Sequence, residues 1–220
     1  MNREYRISYG RINQSGMSDT EKRHLGIALG ALTLAFAFSF TGGYVYLDLS
    51  TFPFYLGLSF LSVSTAFVFH EFAHRKLARD FGCWAEFRMW RWGLMLAVLF
   101  GFLFGWVFAA PGSVMIQGHI TKEQHGKISV AGPGTNWAVG TGFLIASIAL
   151  ISFGMEFIGG ILGFVSYVNL FLGGFNLLPF GPLDGRKIFS WSAKHYVALV
   201  GLIGGSLATG FLTNAFFFII

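Results

Sequence analysis

The sequence predicts an all-α polytopic membrane protein with five to six transmembrane helices. Of its 220 residues, 54% are hydrophobic and 11% are charged, and soluble domains normally have about twice that charged fraction. Glycine is frequent, with 30 residues, as it is in membrane helices. Five apolar stretches reach the roughly 20 residues that a helix needs to cross the hydrocarbon core. These stretches are Leu25–Leu47, Phe54–Ala73, Ile128–Phe153, Phe157–Leu178 and Tyr196–Ile220.

The N-terminal segment 1–23 is polar and charged, and the apolar stretch that follows it is too long for a signal peptide. We therefore expect residues 1–23 to lie in the cytoplasm and Leu25–Leu47 to remain as a helix. One cysteine, Cys83, excludes an internal disulfide. Since no polar stretch is long enough for a second domain, residues 1–220 are predicted to form a single transmembrane domain.

A sixth apolar stretch, Gly93–Ala110, is interrupted by Gly101 and Gly105 and is stopped by Pro111. If it returns to the side from which it entered, all 15 Lys and Arg residues lie on one side, as expected for the cytoplasmic face. If it spans, five of them lie outside. The charges therefore favour five spans plus a re-entrant or small β element between the second helix and Ile128–Phe153. The basic residues form the clusters Arg3–Arg23, Arg75–Arg91, Lys122–Lys127 and Arg186–Lys194.

Two further patterns concern packing and the membrane surface. Pairs of glycines four residues apart predict close helix contacts within the monomer, in preference to a dimer motif. Three tryptophans interleaved with arginines predict an interfacial belt. The glycine pairs are Gly26/Gly30, Gly101/Gly105, Gly159/Gly163 and Gly201/Gly205, and the belt comprises Trp84, Trp90 and Trp92 with Arg88 and Arg91.

The second apolar stretch ends in His-Glu-Phe-Ala-His at positions 70–74. Four residues advance a helix by about 400°, so His70 and His74 project from one face and can bind one Zn²⁺. Glu71, beside them, can take a proton from zinc-bound water and pass it to a leaving amine. The alternative is two ordinary hydrogen-bonded histidines and a stray acid. Because each ionisable residue inside a span costs at least about 2.5–3.5 kcal/mol, a compensating metal is favoured.

A catalytic zinc usually has three protein ligands. Asp80 follows His74 by six residues and would face away on a continuing helix, so we do not expect it to be a ligand. Pro179 and Pro182 end the helix before Asp184, at the membrane side where the histidines are expected. Asp184 is thus the predicted third ligand, with a turn-forming acid as the alternative.

These residues resemble the site-2 protease family of intramembrane zinc metalloproteases. The resemblance covers about residues 54–187 and depends on three motifs in order. The motifs are His-Glu-Phe-Ala-His at 70–74, Ala-Gly-Pro-Gly-Thr-Asn at 131–136, and Asn-Leu-Leu-Pro at 176–179 with Leu-Asp-Gly at 183–185.

By this resemblance, His70, His74 and Asp184 would hold one Zn²⁺ per chain, and Glu71 would be the catalytic base. Asn176 would hold the substrate backbone or the developing oxyanion. The implied activity is hydrolysis of peptide bonds in or near transmembrane segments of membrane-anchored proteins, that is, regulated intramembrane proteolysis. The expected partners are a single-span membrane protein substrate and the lipid bilayer, with no nucleic acid. The expected location is a prokaryotic cell membrane, with the active site near the cytoplasmic side.

The chain departs from the family pattern in two ways. Arg186 replaces the second glycine that many members have after the aspartate, and the chain has no room for a PDZ or CBS domain. Two alternatives stay open: a non-catalytic zinc-binding membrane protein and, less favoured because the spans lack other polar residues, a metal-ion permease. For an extended substrate we predict a strand-like edge at Gly112–Gln117 that adds the substrate as a further strand.

Overall fold

The computed structural model describes residues 16–107 and 111–216. The described chain is mostly helical and contains one antiparallel pair of strands. In order, the elements are α1 (Asp19–Phe40), a 3₁₀ turn (Tyr44–Tyr46), α2 (Phe52–Val63), a π-helical turn (Ser64–Val68), α3 (Phe69–Asp80), β1 (Trp84–Met89), α4 (Arg91–Phe104), β2 (Gly112–Gln117), α5 (Lys122–Ser152), α6 (Glu156–Asn176), α7 (Asp184–Trp191) and α8 (Ala193–Leu212).

Five helical stretches in the described ranges are long and apolar enough to cross a membrane. They are α1, the continuous stretch from α2 to α3, α5, α6 and α8. The prediction of a polytopic all-α membrane protein is therefore confirmed. A single domain covering residues 1–220 stays a prediction.

The ends of the spans differ from the predicted ones for local reasons. The first span begins before the predicted Leu25, because Ser18 caps α1 by accepting a hydrogen bond from the Glu21 amide. It ends before the predicted Leu47, because Gly42 has φ = +78° and leaves the helical conformation. Apolar composition marks the membrane-crossing part of a helix, whereas caps decide where the helix itself begins and ends.

The other spans differ in the same way. The second continues past the predicted Ala73 to Asp80, and the third begins at Lys122 rather than Ile128. The Lys122 end is set by a capping box, in which Thr121 and Gln124 satisfy each other's backbone amides. Residues 217–220 of the predicted last span lie outside the described residues.

We call β1, α4 and β2 together the re-entrant segment, which covers residues 84–107 and 111–117 of the described chain. The strands pair antiparallel from Trp84↔Gln117 to Met89↔Gly112, so the chain leaves and returns at the same place. Between the strands, α4 packs along α1, with Gly101 in contact with the Ala35 backbone. The predicted re-entrant or small β element is thus present in both forms, as a short apolar helix flanked by two paired strands.

The prediction of close helix packing is confirmed for two of the four glycine pairs. Gly101, Gly105, Gly159 and Gly163 lie against neighbouring backbone or side chains with no room for a Cβ atom. The pairs Gly26/Gly30 and Gly201/Gly205 face open space, and the prediction of internal packing is wrong for them. A lipid-facing glycine and a packed glycine look alike in sequence, because both tolerate the same apolar neighbours.

Candidate metal centre

Three side chains from two distant parts of the chain converge on one point. His70 and His74 lie on α3, one turn apart, and Asp184 is the first residue of α7. The two Nε2 atoms are 3.0 Å apart, and Asp184 Oδ2 lies 3.3 Å from His70 Nε2 and 2.9 Å from His74 Nε2. All three side chains are buried. The structure therefore brings together the two imidazoles and the carboxylate that the sequence analysis grouped.

The Nδ1 atom of each imidazole, which points away from the other two side chains, contacts an oxygen that can only accept a hydrogen bond. Asn136 donates through Nδ2 to the carbonyls of Ala66 and Asn169, so its Oδ1 is the atom facing His70 Nδ1 at 2.9 Å. His74 Nδ1 lies 2.7 Å from the Ile128 carbonyl. Both Nδ1 atoms must therefore carry the proton, which leaves both Nε2 atoms as acceptors in the neutral imidazoles.

Three acceptor atoms pointed at one another repel unless a cation lies among them. Ligand atoms at about 2.0–2.1 Å around a tetrahedral Zn²⁺ would be about 3.3 Å apart, close to the separations of His70, His74 and Asp184. A histidine that donates its other ring N–H to a fixed acceptor is the usual arrangement of a metal ligand. The donor set therefore fits a zinc ion.

Asp184 is placed by a helix start and is held by a lysine. The chain breaks after α6, at Pro179 to Pro182, and α7 begins at Asp184 itself. Lys187, one turn on, contacts the second carboxylate oxygen, Oδ1, at 3.1 Å, which leaves Oδ2 directed at the histidines. The ammonium group of Lys187 beside Oδ1 favours the charged form of Asp184. The carboxylate is thus ionised, as a metal ligand must be.

The backbone of α5 approaches the imidazoles at a glycine. A Cβ atom on Gly132 would collide with the Nε2 atoms of both His70 and His74. The π-helical turn Ser64–Val68 immediately precedes α3, and turns of this kind are frequent at functional sites. Thr65 in this turn accepts a hydrogen bond from Asn169, so α6 is also tied to the histidine-bearing helix. Three spans therefore fix the positions of the imidazoles.

Glu71 is buried beside this group and faces β2. The Val114 backbone amide of β2 faces its carboxylate. Within residues 16–107 and 111–216, the other oxygen, Oε2, has no hydrogen-bond partner. Oε2 is therefore available as a proton acceptor.

Asn176 lies at the end of α6, on the wall of the same cavity. Its Nδ2 donates to the Leu172 carbonyl at 3.0 Å, so one of its two N–H groups is used within its own helix. A role in holding the substrate or oxyanion stays a prediction.

The metal centre opens into a cavity of about 310 Å³. Its wall is apolar on the side of α1, at Leu32 and Phe36, and is polar at His125 and Lys187. The predicted belt residue Trp90 also lines the cavity, whereas Trp84 belongs to β1. The cavity therefore has one polar end beside residues that otherwise lie among apolar side chains.

Sequence reasoning missed the residues that orient the ligands. Asn136 was recognised only as the last position of a motif, and its hydrogen bond to His70 joins residues 66 positions apart. The Ile128 carbonyl leaves no trace in the sequence, because any residue there supplies one. Asp80, which we did not expect to be a ligand, is paired with Lys76 Nζ at 2.7 Å instead.

Comparison with known proteins identifies the family. The chain is 38% identical over 184 residues to a Methanocaldococcus jannaschii protein named "Putative zinc metalloprotease", a match that covers 83% of this chain and 91% of that protein. The chain belongs to the site-2 protease family of zinc metalloproteases. A second protein of that archaeon, named "Zinc metalloprotease", is 30% identical over 131 residues, covering 59% of this chain and 32% of that protein. No family model and no solved structure matches.

Membership of this zinc metalloprotease family agrees with the donor set. Both relatives are named for zinc, and the group formed by His70, His74 and Asp184 is of the kind that binds zinc. The apolar spans indicate a membrane protein.

Proposed function

We propose that this protein is an intramembrane zinc metalloprotease that hydrolyses peptide bonds in or near transmembrane segments of membrane-anchored proteins. The observation that carries the proposal is the convergence of His70, His74 and Asp184 beside Glu71 within a membrane-spanning bundle. A zinc site of this kind inside a soluble domain would suggest an ordinary peptidase. Here His70 and His74 lie on a helical stretch long and apolar enough to cross the bilayer, which supports a substrate that is reached within or near the bilayer.

The chain's own groups divide the chemistry between them. His70, His74 and Asp184 would hold one Zn²⁺, which when bound supplies a Lewis acid that brings the pKa of water to about 7 and polarises a carbonyl. Glu71 accepts the proton of the attacking water at its free Oε2 and delivers it to the nitrogen of the leaving amine. Asn176, on the same cavity wall, donates its remaining N–H to the oxyanion.

The free edge of β2 is the proposed substrate-binding element. The Phe87 amide donates to Glu21, and the Ala85 carbonyl accepts from Arg79, so both groups point away from β2. Across the two strands, Phe87 pairs with Val114 and Ala85 pairs with Ile116, and these are therefore non-hydrogen-bonded pairs. Val114 and Ile116 accordingly direct their own backbone N–H and C=O groups toward the opposite edge of β2. That edge faces the cavity and is unpaired in the described chain.

An unpaired edge suits a transmembrane substrate. A helix hides its carbonyls in its own hydrogen bonds, so it must unwind before a carbonyl can be attacked. Pairing with Val114 and Ile116 would hold the unwound segment extended by β-augmentation. Because the Val114 amide faces Glu71, a peptide paired there would pass directly beside the catalytic base.

The proposal further places the protein in a prokaryotic cell membrane, with the metal centre on the cytoplasmic side. In support, the basic residues of the described chain cluster at the end of the bundle where α3 ends and α5 and α7 begin. Lys and Arg favour the cytoplasmic side of a membrane.

The deciding experiment combines an activity assay with metal analysis. Purified protein reconstituted in lipid is incubated with a labelled single-span substrate, with and without a chelator. We expect cleavage that the chelator abolishes and that zinc restores. Glu71→Gln should lower kcat by about 10²–10⁴-fold while the bound zinc stays at one per chain.

Glu123→Gln is the matched control, since Glu123 is an exposed acid paired with Lys127 and should change neither property. Retention of zinc with no cleavage by the wild type would favour a non-catalytic zinc protein. Zinc transport across vesicles without cleavage would favour a permease.

A further inference from the structure

A long apolar cleft lies on the surface of α1 and α4, away from the metal centre. Its volume is about 1080 Å³, and its walls are almost entirely apolar. On α1 it follows one helical stripe, because Arg23, Ile27 and Ala31 are spaced by four residues. The facing wall is formed by α4. The residues of α4 in the cleft are Arg91, Trp92, Leu94, Met95, Leu96, Val98, Leu99 and Phe102.

We propose that this cleft binds one anionic phospholipid, with its phosphate on Arg23 and Arg91 and an acyl chain along the apolar walls. Both arginines are exposed and lie near the starts of their helices, Arg23 as the fifth residue of α1 and Arg91 as the first of α4, so they are at the same end of the cleft. Arginine suits this role because its planar guanidinium binds phosphate through paired hydrogen bonds.

The charge at this end is unbalanced. Neither Arg23 nor Arg91 forms an ion pair with any residue in the ranges 16–107 and 111–216, and no acidic residue lines the cleft. By contrast, the nearby Arg88 is paired with Glu86 at 2.7 Å. Trp92, 67% exposed, lies beside Arg91, as expected of an aromatic side chain at headgroup level. Within the described part of the chain, the cleft therefore offers an anionic headgroup two cations that have no acidic partner.

The length of the cleft favours a lipid over a substrate helix. From Arg23 to Phe38 α1 rises about 22 Å, and from Arg91 to Phe102 α4 rises about 17 Å. One leaflet with its headgroups measures about 20–22 Å, half of the full bilayer. A transmembrane substrate would need a groove through both leaflets, about 30 Å of hydrocarbon.

The two helices are firmly joined along the cleft, so its shape is fixed before any lipid binds. Gly101 lies against the Ala35 backbone, and Ser39 donates to the Gly105 carbonyl at 2.8 Å. At the other end, Glu21 on α1 accepts from the Phe87 amide, close to the start of α4. A preformed cleft loses less conformational entropy on binding.

Native mass spectrometry of the full chain, released from micelles containing equal phosphatidylglycerol and phosphatidylcholine, tests the proposal. The wild type should retain one phosphatidylglycerol in preference to phosphatidylcholine. Arg23→Gln/Arg91→Gln should lower this preference by about tenfold or more, since each basic residue near an anionic headgroup contributes roughly a fivefold factor. Lys122→Gln/Lys194→Gln removes the same charge elsewhere and should retain the lipid.

Two further experiments test the contacts of the acyl chain and the alternative that a substrate peptide occupies the cleft. Ala31→Phe, which fills the middle of the cleft, should weaken lipid retention with both arginines present. A photo-reactive side chain at Ile27 should crosslink to phosphatidylglycerol when a single-span peptide is also present. Unchanged thermal unfolding checks the fold of each variant. Equal lipid retention by the two double variants, or crosslinking of Ile27 to the peptide, would overturn the assignment.

Discussion

The metal centre and the re-entrant segment border the same cavity, but they are built in opposite ways. The imidazoles of His70 and His74 are buried, and their Nδ1 atoms are bonded to partners on α5. In β2, half-buried and exposed residues alternate, and one edge has no strand of the described chain beside it. The difference indicates a division of labour: the helices fix the catalytic geometry in advance, and the strand leaves backbone groups for a substrate to complete.

Glu71 lies where the two regions meet. It belongs to helix α3, but the Val114 amide that faces its carboxylate belongs to the strand. Movement of β2 would therefore alter the surroundings of the base without moving the metal ligands. Variants of the helices should change zinc binding, and variants of the strand edge should change substrate binding. The three predictions below test this separation.

The largest effect should come from crowding the imidazoles. In Gly132→Ala the new methyl group collides with the Nε2 atoms of both histidines, so zinc affinity should fall by about 100-fold or more, and activity with it. Gly134→Ala is a close control, because its methyl group would meet only Val130, at 3.9 Å. Competition with a chromogenic chelator measures both affinities. Equal zinc affinity in the two variants would contradict the close approach of α5.

A smaller effect should follow from loss of the group that orients His70. Asn136→Ala frees the imidazole to rotate and should weaken zinc binding by about 10–100-fold. It also removes the two hydrogen bonds that Asn136 donates to the Ala66 and Asn169 carbonyls, at a cost of about 1–3 kcal/mol in the free energy of unfolding.

Ser166→Ala separates these two consequences. Ser166 bonds the Gly140 carbonyl across the same α5–α6 contact but touches no histidine. Both variants should unfold at lower temperature, and only Asn136→Ala should lose zinc affinity. A parallel loss of zinc in Ser166→Ala would show that general destabilisation, rather than orientation of His70, explains the effect.

The smallest effect should appear at the strand edge. Ile116→Pro removes one outward-facing backbone N–H and should raise KM for a single-span substrate by about fivefold, the contribution of one net hydrogen bond. Bound zinc should not change. Ile116→Val keeps the N–H and should behave as the wild type. A fall in zinc content in Ile116→Pro would break the proposed separation between helices and strand.

The sequence predicted those features that are encoded locally or by charge. The spacing of His70 and His74 fixes their common face, and the distribution of Lys and Arg predicted that residues 93–110 return to one side. The prolines before Asp184 indicated the break that precedes α7. The histidine spacing and the prolines lie within a few residues of the features that they predict. The charge distribution, by contrast, is summed over the whole chain.

Other features depend on contacts that no local pattern records. The bond from Asn136 to His70 and the packing of Gly101 on Ala35 each join distant parts of the chain. The π-helical turn at Ser64–Val68 has an ordinary apolar sequence. For the same reason the sequence could not show that Gly26 and Gly30 face outward.

X-ray absorption spectroscopy at the zinc edge on the purified full-length protein tests the metal centre most directly. We expect a first shell of two imidazole nitrogens plus oxygen at about 2.0–2.1 Å, and an altered shell when Asp184 is replaced by alanine. A sulfur shell near about 2.3 Å, or a spectrum that Asp184→Ala leaves unchanged, would contradict coordination by two histidines of α3 and the carboxylate that begins α7.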